Sequence, residues 1–268
     1  MFTVEYYVGL IIIGIVAGFA SGLLGVGGGF LIVPFQYFLL TYIGVSQDVA
    51  MLVSLGTSLA IIIPTATSGA YRHSKKLDGI VEIGIKLGIF GIIGGVFGGF
   101  LASNLPSDIL KTLFGLLLLF IAVRNLLSKD AGENEAKIDF NLPAIMLTGV
   151  SVGFLSGLLG IGGGIFLIVI LTMIFGFSLV KSIGISSVFI SLTAIGGTIS
   201  YIISGWNVNP FPYSIGYISI INFLLIASFS VPFAQVGAKF THKMPEKLLK
   251  RIFALVVLYI ALKMLFNI

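Results

Sequence analysis

The chain has 268 residues, 57% of them hydrophobic and only 9% charged, with a mean hydropathy of +1.16 and a formal net charge of +5. A soluble domain carries about 25% charged residues, so the composition describes an integral membrane protein. The basic residues are scattered through short loops, which excludes nucleic acid as a partner, and the lack of cysteine excludes disulfides, thiolate catalysis and Cys-ligated metals.

Apolar runs long enough to span hydrocarbon, about 17–25 residues each, recur from end to end, so 1–268 reads as a single membrane domain. No basic residue precedes Arg72. The first run therefore lacks the charged start of a cleaved signal peptide and is expected to stay in the mature protein. Apolar segments are predicted at 7–25, 30–44, 49–70, 80–103 and 109–127. The longest polar stretch, Ser128 to Asn141, follows as a cytoplasmic linker over 128–142. Five more segments are predicted at 143–160, 165–177, 182–204, 214–237 and 250–266.

The two sets repeat one another. "GFASGLLGVGGG" (Gly18–Gly29) returns as "GFLSGLLGIGGG" (Gly153–Gly164), identical at ten of twelve positions. "LPSDILKTLFGLLLLFIAVRNLL" (Leu105–Leu127) likewise resembles "MPEKLLKRIFALVVLYIALKMLF" (Met244–Phe266). Repeat one is thus 7–127 and repeat two 143–266. In each, the first two segments form a hairpin broken or joined by a glycine-rich turn. That hairpin either crosses twice or dips in and returns, and the topology of the rest is the same either way.

An odd number of net crossings per repeat makes the repeats inverted, and the charges agree. Arg72, Lys75, Lys76, Arg124, Lys129, Lys137, Lys181, Lys239, Lys243, Lys247, Lys250 and Arg251 fall on one predicted side. Lys111 and Lys263 fall on the other, and Lys86 lies inside a segment. The rich side is therefore cytoplasmic, in a multi-pass protein of the cell membrane with both termini outside. The cluster Lys239–Arg251 is expected to meet anionic lipid headgroups.

Inverted halves with broken segments at matching places are the pattern of a secondary transporter. A helix interrupted in hydrocarbon exposes N–H and C=O groups, tolerable only against protein or a wet cavity. Glycine lets those amides approach a ligand without an intervening Cβ, and the N-terminal end of the next helix favours an anion. The two runs are expected to build one pocket near the midplane. Close helix packing is the competing explanation for small residues such as Gly22, Gly25 and Gly29. It is the preferred explanation for Gly91, Gly95 and Gly99, spaced four apart.

Hydroxyls crowd the third segment of each repeat and can donate to an oxyanion; bonding to their own helix is the alternative. Thr57, Ser58, Ser186 and Ser187 are favoured because they match between repeats. The candidate substrate-binding set is Ser21, Gly25, Gly27, Gly28, Gly29, Thr57 and Ser58, with Ser156, Gly160, Gly162, Gly163, Gly164, Ser186 and Ser187. Gln36, Asn222 and Gln235 are neutral polar residues in spans that can line a path. Glu82 can pair with Lys86 four residues on and is the candidate group for proton or ion coupling.

The duplicated Gly-x-x-Ser-Gly-Leu-Leu-Gly-x-Gly-Gly-Gly, followed by Pro34 and by "GTSL" (Gly56–Leu59), resembles the TauE/SafE sulfite exporter family, over about residues 9–127 and 144–266. The resemblance implies a permease for sulfite, an organosulfonate or a related sulfur oxyanion. Repeat two departs from it with Val169 in place of Pro34 and "ISSV" (Ile185–Val188) in place of "GTSL". An anion channel, or a carrier of a different carboxylate or inorganic anion, is the alternative. A membrane enzyme would need clustered His, Asp, Glu or Cys in the spans, and no cofactor, metal site or catalytic residue is expected.

Overall fold

A computed structural model describes residues 3–24, 27–74, 77–127, 140–208, 212–240 and 246–266. Gly25, Lys75, Lys76, the linker from 128 to 139 and the side chains of the Lys239–Arg251 cluster fall outside the described residues. The described chain is helical almost throughout: α1 (Val4–Leu24), α2 (Gly29–Tyr42), α3 (Gln47–Ser74), α4 (Ile80–Ser103), α5 (Ser107–Leu127), α6 (Leu142–Leu159), α7 (Gly164–Met173), α8 (Leu179–Gly205), α9 (Ile220–Phe240) and α10 (Glu246–Phe266). Among the described residues, α1, α3, α4, α6, α8 and α9 are long and apolar enough to cross a membrane. At 1.5 Å per residue, α2 is only about 21 Å long and α7 about 15 Å, short of the roughly 30 Å hydrocarbon core. Neither second segment reaches across on its own.

One predicted segment begins differently. The run expected from 214 opens with a two-stranded antiparallel hairpin, β1 (Ser214–Ile215) and β2 (Ile218–Ser219), before α9 starts. The hairpin turns at Gly216 and tucks under the end of α8, where Tyr217 N–H donates to the Tyr201 carbonyl at 3.1 Å. Ile215, Tyr217 and Ile218 join the apolar run of the helix that follows, which hides the hairpin within one predicted segment.

The helices sort side chains as lipid demands. On α4 a glycine face, including Gly84, Gly88, Gly91, Gly95 and Gly99, is buried, while Val81, Ile85, Ile89, Ile93, Phe97 and Leu101 are exposed. Water would make such an exposed stripe an aggregation hazard, whereas acyl chains solvate it. Small residues on the other face let backbones meet. Gly149, Gly153 and Gly157 of α6 face the carbonyls of Leu87, Gly91 and Gly95 on α4. Gly14, Gly18 and Gly22 of α1 face those of Ile226, Ser230 and Ala234 on α9 in the same way. Packing therefore accounts for the four-residue glycine spacing on α4.

These contacts also give helix directions. The paired numbers rise together, so α1 runs parallel to α9, and α6 parallel to α4. Thr57 to Ser219, Thr65 to Ser230 and Ser68 to Gln235 make α3 parallel to α9. Gly84 against Val188 and Gly99 against Ser200 make α4 parallel to α8. Between α3 and α8 the order reverses, with Gly56 against Tyr201 and Gly69 against Ser187. Helices of the two halves interleave, and neither half has a core of its own.

Candidate functional site

The site forms where α1 gives way to α2 and α6 to α7. Gly28 and Gly163 are the residues immediately before α2 and α7, with φ of 77° and 76°. That left-handed geometry costs an ordinary residue about 1–2 kcal/mol, which is why glycine stands there. The surroundings repeat contact for contact. A Cβ on Gly28 would lie 3.1 Å from the Ala17 carbonyl oxygen and 3.3 Å from Ser21 Cβ. On Gly163 it would lie 3.1 Å from the Val152 carbonyl oxygen and 3.2 Å from Ser156 Cβ.

The two turns meet. A Cβ on Gly29 would stand 2.9 Å from both the Gly160 carbonyl oxygen and Ile161 Cα. Gly27 and Gly162 both face the γ2 methyls of Ile62 on α3 and Ile190 on α8, two side chains with no exposed surface. In this conformation the isoleucines fill the space beside the paired turns.

Backbone groups in such a turn need partners or a ligand. The carbonyls find them: Ser58 donates to the Gly160 oxygen at 2.9 Å, and Ser186 to the Gly164 oxygen at 3.2 Å. Tyr201 donates to the Gly157 oxygen at 3.1 Å, just ahead of the second turn. The amides differ. Among the described residues, the N–H groups of Gly29, Gly164 and Ile165 meet no protein acceptor, and all three residues are buried. The Ser156 hydroxyl is buried beside them and also has no partner. This is a donor-rich, uncharged site.

Not every candidate contributes in the same way. Ser187 donates to its own helix at the Ile183 carbonyl, 2.9 Å away. Thr57 accepts the Ser219 N–H at 3.0 Å and so anchors the hairpin. Glu82 lies apart on the exposed part of α4, paired with Lys86 at 2.6 Å, with its side chain 71% exposed. Sequence reasoning missed Ile62 and Ile190, because an isoleucine in an apolar helix carries no distinguishing signal. It also missed Tyr6, whose hydroxyl donates to Asn222 Oδ1 at 2.6 Å in a fully buried contact.

Several spanning helices around two interrupted ones, with the interruptions in contact, are the build of a multi-pass membrane transporter. The comparisons make the assignment specific: the chain belongs to the sulfite exporter TauE/SafE family, whose model matches residues 10–264. It is 36% identical to a probable membrane transporter protein of Methanocaldococcus jannaschii, over 90% of this chain and 88% of the relative. It is 35% identical to a probable membrane transporter protein of Haemophilus influenzae, over 95% and 96% of the two chains. The probable membrane transporter protein YdhB of Bacillus subtilis is 32% identical, over 90% and 93%. No solved structure matches the chain.

Proposed function

We propose that the protein carries a small anion, in the class of sulfite, organosulfonates and related sulfur oxyanions, across the cell membrane by alternating access. The observation that carries this reading is the contact between the two glycine turns, each presenting buried amides without protein acceptors. An oxyanion accepts hydrogen bonds and donates none when fully ionised, so it suits a site built of free donors. The partial positive charge at the starts of α2 and α7 favours the same ligand. The family's description as sulfite exporters supports the chemical class.

Alternating access needs two arrangements of similar energy, which inverted repeats supply by symmetry. The helix directions support inversion. α1, α3 and α9 run one way and α8 runs opposite to α3, with α4 and α6 aligned with α8. α1, α3 and α4 of repeat one thus oppose their counterparts α6, α8 and α9 in repeat two. Rocking of the helix group built on α1 and α9 against the group built on α4, α6 and α8, each drawn from both repeats, would open the turns to one face and then to the other. The basic loops are cytoplasmic in this reading and both termini are outside.

The test is uptake into liposomes of labelled sulfite, methanesulfonate and sulfate, with and without a proton gradient. A carrier gives saturable uptake that is stimulated by the same anion preloaded on the far side. Unitary currents would make the protein a channel, and absence of flux for every anion would remove the anion reading.

A further inference from the structure

A second polar site lies deeper along α2, built by Gln36 and Tyr6 of repeat one with Asn222 of repeat two. Gln36 and Asn222 have no exposed surface. Asn222 Nδ2 donates to Gln36 Oε1 at 3.0 Å, and Tyr6 donates to Asn222 Oδ1 at 2.6 Å. Each link spends an acceptor, so the chain of bonds ends on Gln36 Nε2, which is buried with no partner. A buried unsatisfied amide donor is costly, and structures keep few of them without a reason.

The position ties this donor to the glycine turns. Gln36 is seven residues beyond Gly29, which returns to the same face of α2 about 10 Å further along. Gly29 is the residue that touches the opposite turn. The partner residue is held in place from α3: Thr57 accepts the Ser219 N–H at 3.0 Å, and Ser219 Oγ accepts the Asn222 N–H at 3.4 Å.

The matching place beside α7 lacks the site. The spacing between the glycine runs matches Gln36 with Leu171, which is fully buried. The packing of α9 on α1 and of α4 on α6 matches Asn222 with Ile83. Hydrocarbon fills beside α7 the place that amides hold beside α2. Packing or helix stability therefore does not require amides there.

We propose that Gln36, oriented by Asn222 and Tyr6, is a second binding station for the transported anion, its free amide donating to an oxyanion oxygen one step beyond the glycine turns. The two ends of the path are then unequal, with a polar resting place on the α2 side and an apolar wall on the α7 side. This inference rests on the anion-carrier reading above.

The experiment is concentration-dependent uptake in liposomes, with a panel of labelled sulfite, methanesulfonate, sulfate and acetate, for the wild-type protein, Gln36→Leu and Asn222→Ile. Both substitutions install the side chain that stands at the matching position beside α7. The expected result for Gln36→Leu is a KM raised about tenfold or more, the loss of one hydrogen bond to a charged ligand, with saturable exchange retained. Asn222→Ile should move KM in the same direction by freeing the Gln36 side chain to turn. An unchanged KM in Gln36→Leu means that Nε2 meets only an internal water, and overturns the proposal. If Gln36→Leu does not fold, Gln36→Glu decides: a carboxylate beside the station should raise KM at least as much, and an unchanged KM overturns the station. A wild-type protein that takes up no anion of the panel overturns the carrier reading and this inference together, whereas wild-type flux with indifferent Gln36 variants overturns this inference alone.

Discussion

Gly29 of the first break and Gly160 of the second are in contact, with only 2.9 Å between the Gly160 carbonyl oxygen and the place a Gly29 side chain would begin. The same Cβ would come within 2.7 Å of Ile62 Cδ1. One of these neighbours is backbone and cannot swing aside. Gly29→Val should therefore separate the two turns and remove transport, while α1 and α3 still insert. Uptake in liposomes and membrane yield, measured on the same preparation, check this. Wild-type uptake by the variant would show that the turns need not touch.

Gly28 and Gly163 allow a symmetric test, since each holds a left-handed φ against a carbonyl and a serine. Valine at either position adds about 1–2 kcal/mol of backbone strain and a branched side chain beside Ser21 or Ser156. Gly28→Val and Gly163→Val should each abolish uptake while leaving insertion intact. If one variant is silent, the two breaks do not serve one site.

Ser58 crosses from α3 to the other repeat's turn, and Ser54, one helical turn earlier, does not. Ser58 holds the Gly160 carbonyl at 2.9 Å, whereas Ser54 donates to Ala50 within its own helix at 2.7 Å. Ser58→Ala should cost about 1–3 kcal/mol by stranding a buried carbonyl. Ser54→Ala should cost much less, because its carbonyl keeps the helix bond. Melting midpoints in detergent should fall for the first variant and barely move for the second. Equal shifts would mean that Ser58 does not hold the turn.

The sequence made the ten apolar segments legible because each is an apolar run bounded by glycine, proline or charge. It also made the breaks legible, since Gly18–Gly29 and Gly153–Gly164 repeat. The fates of the hydroxyls were not legible. Thr57, Ser58, Ser186 and Ser187 look alike in sequence, yet one anchors a hairpin, two hold turn carbonyls and one bonds its own helix. Such choices depend on which backbone passes within about 3 Å, a tertiary fact. Ile62 and Ile190 were hidden for the same reason. The hairpin at 214–219 was missed because Ile215, Tyr217 and Ile218 run straight on into the apolar start of α9.

Glu82 offers a test of coupling. Its carboxylate is mostly exposed and paired with Lys86 at 2.6 Å on the same helix. An exposed pair of this kind contributes little to stability. A coupling carboxylate must instead meet the substrate path. Glu82→Gln should leave both the rate of uptake and its response to a proton gradient unchanged. Loss of the gradient response with uptake retained would make Glu82 the coupling group.

Orientation can be read with the same directness, because the chain has no cysteine to mask. The parallel pairs α1 with α9, and α4 with α8, put the start of α1 and the β1–β2 hairpin at one end of the helices. The α3–α4 connection and the start of α8 lie at the other end, and those are the places that carry Arg72 and Lys181. Basic loops favour the cytoplasm. Val4 and Tyr213 are 78% and 72% exposed, and Asp78 is exposed in the α3–α4 connection. Val4→Cys and Tyr213→Cys should thus react with an impermeant maleimide on intact cells. Asp78→Cys should react only after the membrane is opened. The reverse pattern would invert the protein without altering the fold, since every helix pair keeps its relative direction. Labelling of Tyr213→Cys and Asp78→Cys from the same side would contradict the helix directions themselves, and with them the opposed repeats on which alternating access depends.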